Sequence, residues 1–195
     1  MQQVVLLVVG GMHPPSYTGQ ILSTIARDEV LGQLRRVVCA PQRSGDVLSA
    51  YALRQALDKA EKASLPEPEL GLLIWAFSAG CVGAAALAAH WQQGRGPVLA
   101  LFMVDGWGVP RPPGVPVHRL SHDRFTHDSS RWLGAGDEDF YADPAVPHLH
   151  LWQQPQTTNG WATAGRDRES LTAADFLCRR SRDHLCRYGL NINGP

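Results

Sequence analysis

Residues 72–86 read Leu72-Leu73-Ile74-Trp75-Ala76-Phe77-Ser78-Ala79-Gly80-Cys81-Val82-Gly83-Ala84-Ala85-Ala86. An uninterrupted apolar run of this length suits a strand covered on both faces, and the alanine-rich stretch after it suits a helix. Only Ser78, Ala79 and Gly80 join the two, so strand and helix have to meet in a sharp turn. A strand with two apolar faces must be sandwiched, which directs the chain toward a layered α/β architecture. Four more short apolar runs, at 4–9, 37–39, 98–104 and 115–120, read as further strands bounded by Gly, Pro or polar residues. Helix-length segments at roughly 19–31, 46–63 and 79–93 separate the first four strands, an alternation that predicts a mainly parallel central sheet in a three-layer αβα sandwich. Asp46 is placed to cap the second helix. Ser64-Leu65-Pro66-Glu67-Pro68 is placed to end it, because proline lacks the amide and clashes with the preceding turn.

From Trp107 to about Gly165 the periodicity is weak and the composition rich in Gly, Pro, His and Trp, which predicts long loops around short elements. Order returns in the tail: Ala174, Leu177, Cys178, Ser181, Leu185 and Tyr188 share a helical face, with Thr172 and Asp175 set as a capping box. This helix should cover the sheet. With 195 residues and no internal repeat, a single domain spanning 1–195 is expected. Eighteen basic and 18 acidic side chains leave no net charge, so no field draws in nucleic acid or anionic lipid. No run approaches the roughly 18 apolar residues of a membrane helix, and Met1-Gln2-Gln3 lacks the basic region of a signal peptide. Cys39, Cys81, Cys178 and Cys186 form no C-x-x-C pair, and a helix would hold the last two about 12 Å apart, too far to bridge. A cytoplasmic protein with free thiols and a neutral or small partner is expected.

Ser78 has two readings. In one it caps the following helix as an ordinary strand-to-helix turn residue. In the other it is a nucleophile held proud of the sheet, for which small neighbours are required, and Ala76, Ala79 and Gly80 meet that requirement. From Val4 to about Trp152 the residues resemble the α/β hydrolases, in particular their small lidless bacterial lipases and cutinase-like esterases, with Ala76 standing where the family usually has glycine. The resemblance implies a minimal α/β-hydrolase fold with strand order 2-1-3-4-5, and a crevice between Gly10-Gly11 and Ser78 where that order reverses. It implies an oxyanion hole made by the amides of Met12 and Ala79, the former in the loop Gly10-Gly11-Met12-His13-Pro14-Pro15. It also implies a triad in the chain order serine, acid, histidine. Asp123, in Ser121-His122-Asp123-Arg124-Phe125, follows the fifth strand where the family places its acid. His148, at the start of a short helix carrying Leu149 and Trp152, is the matching base. Spacings of 45 and 25 residues along Ser78, Asp123 and His148 suit a hydrolase without an inserted cap. Asp105, at the end of the fourth strand, is a rival acid with His127 as its base. The plainer readings are a turn carboxylate bonding its own backbone and a loop histidine.

His118, His122, His127, His148 and His150 crowd the middle of the chain, but no H-E-x-x-H or comparable ligand frame appears, so neither a metal nor an organic cofactor is expected. Trp107, Trp132, Trp152 and Trp161 either line an acyl pocket or pin loops to the core. Cys81, inside the helix, reads as a small core residue and not as a nucleophile. The expected activity is that of a serine esterase, lipase or thioesterase acting on a small-molecule acyl ester or thioester through an acyl-enzyme at Ser78. The alternative is a non-catalytic binding or scaffold protein of the same fold. A flavodoxin-like binding domain ranks behind both, because the turn after the first strand lacks the Ser/Thr run suited to phosphate.

Overall fold

Strand β1 (Val4–Val9) is buried along its whole length and lies between β2 (Arg35–Cys39) and β3 (Gly71–Phe77), parallel to both. The computed structural model describes residues 3–39, 45–61 and 70–190. β4 (Val98–Val104), β5 (Val117–Ser121) and β6 (Glu138–Ala142) extend the parallel sheet, and β7 (Asn159–Ala164) and β8 (Asp167–Thr172) complete it as an antiparallel hairpin. The order is β2-β1-β3-β4-β5-β6-β7-β8, so the first five strands follow the expected 2-1-3-4-5.

Alternate residues of β1 serve opposite layers, which is why its apolar run is continuous. Val4, Leu6 and Val8 pack with Ile21 and Ile25 of α1 (Pro15–Arg27) and with Phe176, Leu177 and Leu185 of α6 (Ala173–Arg187). Val5, Leu7 and Val9 pack on the other face with Leu53 and Leu57 of α2 (Ala50–Glu61) and Ala84 and Ala88 of α3 (Gly80–Gly94). Short α4 (Arg124–Ser130) follows β5, and α5 (His150–Gln153) follows the loop after β6. The chain is thus an α/β sandwich with helices on both faces of a mostly parallel sheet. Among the described residues, no helix is long and apolar enough to cross a membrane.

Several ends differ from expectation, each for a local reason. α1 begins at Pro15 and not near residue 19, since proline at the first helical position gives up an amide that would be unpaired there. It stops before Asp28, whose Oδ1 accepts the amides of Val30 and Leu31 at 3.1 and 3.0 Å. Asp46 starts a separate 3-10 turn, and Ser49 caps α2 by accepting the Ala52 amide at 3.2 Å. The stretch 64–68 expected to end this helix lies outside the described residues. β5 starts at Val117 because Pro116 contributes only its carbonyl to the ladder, accepting from Leu101 at 2.9 Å. The β7–β8 hairpin was not expected; its strands flank Gly165, whose φ of 62° suits a tight turn. The tail helix forms as read, with Thr172 Oγ1 accepting the Asp175 amide at 3.0 Å, and Ser181 meeting Trp75 Nε1–H at 3.0 Å inside the core. All four cysteines are free thiols.

One polar pair, a buried His118 and a half-buried His184, ties α6 to the sheet. The carbonyl of Glu138 can only accept, so His118 Nδ1–H donates to it at 2.9 Å and His118 Nε2 accepts from His184 Nε2–H at 2.8 Å. Burial pushes the His118 imidazole down from 6.5 to about 4, and it lowers His184 as well. Between these values the unfolded chain holds a proton that the folded chain excludes. Stability is therefore fully present above pH 6.5 and is lost as the pH falls toward about 4. The His118 contribution is on the order of 3 kcal/mol. Urea midpoints followed from about pH 7 to about pH 4 should fall more steeply for the wild type than for His118→Asn, whose amide retains the donor to Glu138 without a titrating ring.

Candidate active site

Ser78 sits one residue past the end of β3 with φ of 51°, a left-handed conformation that non-glycine residues adopt rarely and at a cost of about 1–3 kcal/mol. Its amide donates to Val104 O at 2.8 Å, so the ladder to β4 runs one step beyond the strand before the backbone reverses into α3. Close approach makes the reversal possible. A Cβ on Gly80 would lie 2.4 Å from Gly10 O, and one on Gly11 would lie 3.0 Å from Ser78 Cβ and 2.9 Å from Phe77 Cδ1. The loop after β1 and the turn after β3 therefore face each other across two glycines, at the expected crevice.

Asp105 repeats the geometry on the neighbouring strand. It lies one residue past the end of β4, also has φ of 51°, and donates its amide to Leu120 O at 2.7 Å. Its carboxylate is 1% exposed. Oδ1 accepts the His122 amide at 2.9 Å, and Oδ2 accepts His148 Nδ1–H at 2.8 Å and His122 Nδ1–H at 3.1 Å. With its Nδ1–H donated to a carboxylate, His148 turns Nε2 toward Ser78 Oγ, 3.0 Å away, where an imidazole in this tautomer can accept a proton. Two contacts hold the imidazole in place. The Phe77 ring stacks on it with centroids 4.8 Å apart, and its loop is tied to the β5 loop by Val146 N–H donating to His122 O at 3.0 Å. A hydroxyl, an imidazole and a buried carboxylate thus form one continuous chain of hydrogen bonds, an arrangement able to withdraw a proton from the hydroxyl.

His148 reaches Ser78, but Asp123 does not reach His148. Asp123 is the N-cap of α4, accepting the Thr126 amide at 2.6 Å, and its Oδ2 lies 3.4 Å from His122 Nε2. Burial alone would lift its carboxyl, but the bonds from Thr126 and the charge of His122 outweigh that and lower its pKa. The carboxylate on His148 is Asp105, because β4 pairs directly with β3, the strand that carries Ser78, whereas β5 lies one strand further away. The pairing of Asp105 with His127 does not form either. His127 is buried in α4 beside Tyr141, its Nδ1 without a partner among the described residues, and burial lowers its pKa. Sequence reasoning weighed His122 only as one of five clustered histidines, for a metal it did not expect. Its signal was its place directly after Ser121, in register to deliver a backbone amide to the strand beside it. The Asp105 pairing raises the His122 pKa.

Among the described residues, the amides of Met12 and Ala79 donate to no protein acceptor. The Met12 loop is braced by His13, whose Nδ1–H donates to Pro14 O at 2.9 Å while its Nε2 accepts the Gly11 amide at 3.0 Å. The tryptophans divide. Trp152 is fully buried and stacks on Phe77, Trp161 donates to Asp143, and Trp107 and Trp132 are exposed. Burial drives the Cys81 thiol far up, so it carries no thiolate.

No protein-family model matches the chain, and no curated protein matches it. Solved structures resemble it in part. A cutinase-like protein from Cryptococcus sp. is 17% identical with a TM-score of 0.36, over 53% of this chain and 53% of that one. Polyneuridine aldehyde esterase is 10% identical with a TM-score of 0.32, over 84% of this chain and 59% of that one. The chain matches less than two thirds of either neighbour's length.

The crowding at the turn has a measurable sign. Gly80→Ala forces a methyl against backbone and should destabilise the protein by about 1–3 kcal/mol. Gly19→Ala, on the exposed side of α1 with nothing within 4 Å of the new Cβ, should stabilise it by up to about 1 kcal/mol. Chemical denaturation of the two variants should therefore shift in opposite directions.

Proposed function

We propose that the chain is a serine hydrolase that cleaves a carboxylic ester or thioester through an acyl-enzyme at Ser78. The observation that carries this reading is the chain from Asp105 Oδ2 through both nitrogens of His148 to Ser78 Oγ, with contacts of 2.8 and 3.0 Å. In the proposed cycle Ser78 Oγ attacks the acyl carbon while His148 Nε2 takes its proton. Asp105 stabilises the imidazolium and fixes its orientation. The amides of Met12 and Ala79 bind the oxygen as negative charge develops on it. Collapse of the tetrahedral species expels the alcohol or thiol, which receives the proton from His148. Water then gives its proton to His148 and attacks the acyl-serine, and collapse releases the acid and restores the serine. No step calls for a metal or an organic cofactor.

The acid in this proposal is Asp105, and Asp123 is assigned to capping α4. The strained backbone at Ser78 favours the assignment over a plain helix cap, and so does its Oγ, which meets His148 while the N-cap position of α3 is Ala79.

Labelling with a fluorophosphonate probe and hydrolysis of p-nitrophenyl acetate test both points. The wild type should be labelled and active, and Ser78→Ala neither. Asp105→Asn should lower kcat by about 10⁴-fold, as expected when the base is left in the wrong tautomer. Asp123→Asn should stay near the wild-type rate, since asparagine caps a helix as well as aspartate. An unlabelled wild type, or a loss at Asp123 in place of Asp105, would overturn the assignment.

A further inference from the structure

The Asp105 carboxylate is shared by two imidazoles, whereas a base needs one. His148 Nδ1 and His122 Nδ1 both point at Oδ2, from 2.8 and 3.1 Å, and the three atoms lie within 4.8 Å of one another. The carboxylate is 1% exposed, but the His122 and His148 side chains are 26% and 42% exposed, so the cluster opens to solvent on its imidazole side. Two imidazole nitrogens and one carboxylate oxygen form a donor set suited to a borderline-soft divalent ion such as zinc. Tetrahedral zinc with bonds of about 2.0–2.1 Å separates its donors by roughly 3.3 Å. The two imidazole–carboxylate separations, 2.8 and 3.1 Å, lie within about half an ångström of that value. A further contact fits the same arrangement: Asp123 Oδ2 lies 3.4 Å from His122 Nε2. A carboxylate behind a ligating histidine is the usual outer partner that orients such a ring and fixes its tautomer.

We propose that Asp105, His122 and His148 form an inhibitory site for a divalent transition-metal ion of the zinc class, with solvent in the fourth position. The inference rests on the proposed role of His148 as base, and the proton balance supplies its mechanism. In the metal-free form each imidazole carries its proton on Nδ1 and donates it to Asp105. Binding the ion through both Nδ1 atoms leaves each ring its proton on Nε2: a neutral ring loses none, and His122 in its charged form releases its Nδ1 proton to solvent. The relocated His122 proton then faces Asp123. The relocated His148 proton faces Ser78 Oγ, so this nitrogen becomes a donor and can no longer accept the hydroxyl proton. The ion stops acylation by inverting one hydrogen bond and leaves Ser78 uncovered.

The test uses the full chain in two parallel measurements. Cobalt(II) added as a spectroscopic substitute should produce the visible absorption of a tetrahedral site at one ion per chain, and zinc should abolish that absorption. Zinc should suppress p-nitrophenyl acetate hydrolysis and fluorophosphonate labelling of Ser78 over the same concentration range, with chelator restoring both. In His122→Asn, which keeps an amide donor for Asp105, the zinc midpoint relative to that variant's own metal-free rate should rise by more than about tenfold, since even outer-shell changes cost that much. Asp123→Asn should raise the midpoint by less and serves as the second variant if His122→Asn does not fold. Absence of the cobalt spectrum, or equal zinc midpoints in wild type and both variants, would overturn the proposal. Failure of the hydrolase reading is separately visible as an unlabelled wild type without metal, because the cobalt spectrum does not depend on turnover.

Discussion

A buried carboxylate organises this molecule's candidate site. Removing the Asp105 charge from water costs several kcal/mol, and that cost is offset only if donors surround it. The donors come from separate parts of the fold: the His122 amide and ring from the end of β5, and the His148 ring from the loop after β6. Gly106 lets the chain turn away directly after the charge, since a Cβ there would lie 2.8 Å from Cys81 Sγ. Without those donors an uncompensated charge would sit against the apolar layer between β4 and α3. The convergence of the two loops is thus a condition of burying the charge as much as a feature of any chemistry.

The core and the site are continuous through one ring. Phe77 is buried in the layer that holds α1 and α6, yet it stacks on His148 at 4.8 Å, on Trp152 at 5.2 Å and near His13 at 5.4 Å. The imidazole beside Ser78, the short helix α5 and the loop after β1 therefore all rest on the same aromatic floor. Close packing makes such a floor stiff, so their relative positions follow from the interior packing.

Much of this was legible in the residues. The continuous apolar runs of β1, β3 and β4 marked a sheet covered on both sides, and the small residues around Ser78 marked the sharp turn. Ser78 and His148, met in sequence as separate candidates, stand in contact. Asp123 and Asp105 could not be told apart in the residues, because a carboxylate just after a strand looks the same in sequence whether it faces the site or caps the next helix; in the fold Asp123 accepts the amide of Thr126, three residues on. The pairing of His122 with Asp105 was not legible because it is partly made by a backbone amide, which no residue type announces. The hairpin of β7 and β8 escaped because its outer strand is exposed and charged, as an edge strand should be, and so lacks an apolar pattern.

Ser78 and Asp105 each stand one residue past the ladder pair Phe77↔Val104, with the same backbone conformation. The separation between them is thus dictated by the interstrand spacing of a sheet, a length that thermal motion and sequence drift alter little. Of the three hydrogen-bonded side chains, His148 alone rides on a connecting segment. Insertions or deletions elsewhere around the rim could reshape what the surface admits while leaving the spacing of the two strand-borne groups untouched. In that sense the architecture keeps a fixed gauge beneath an interchangeable rim.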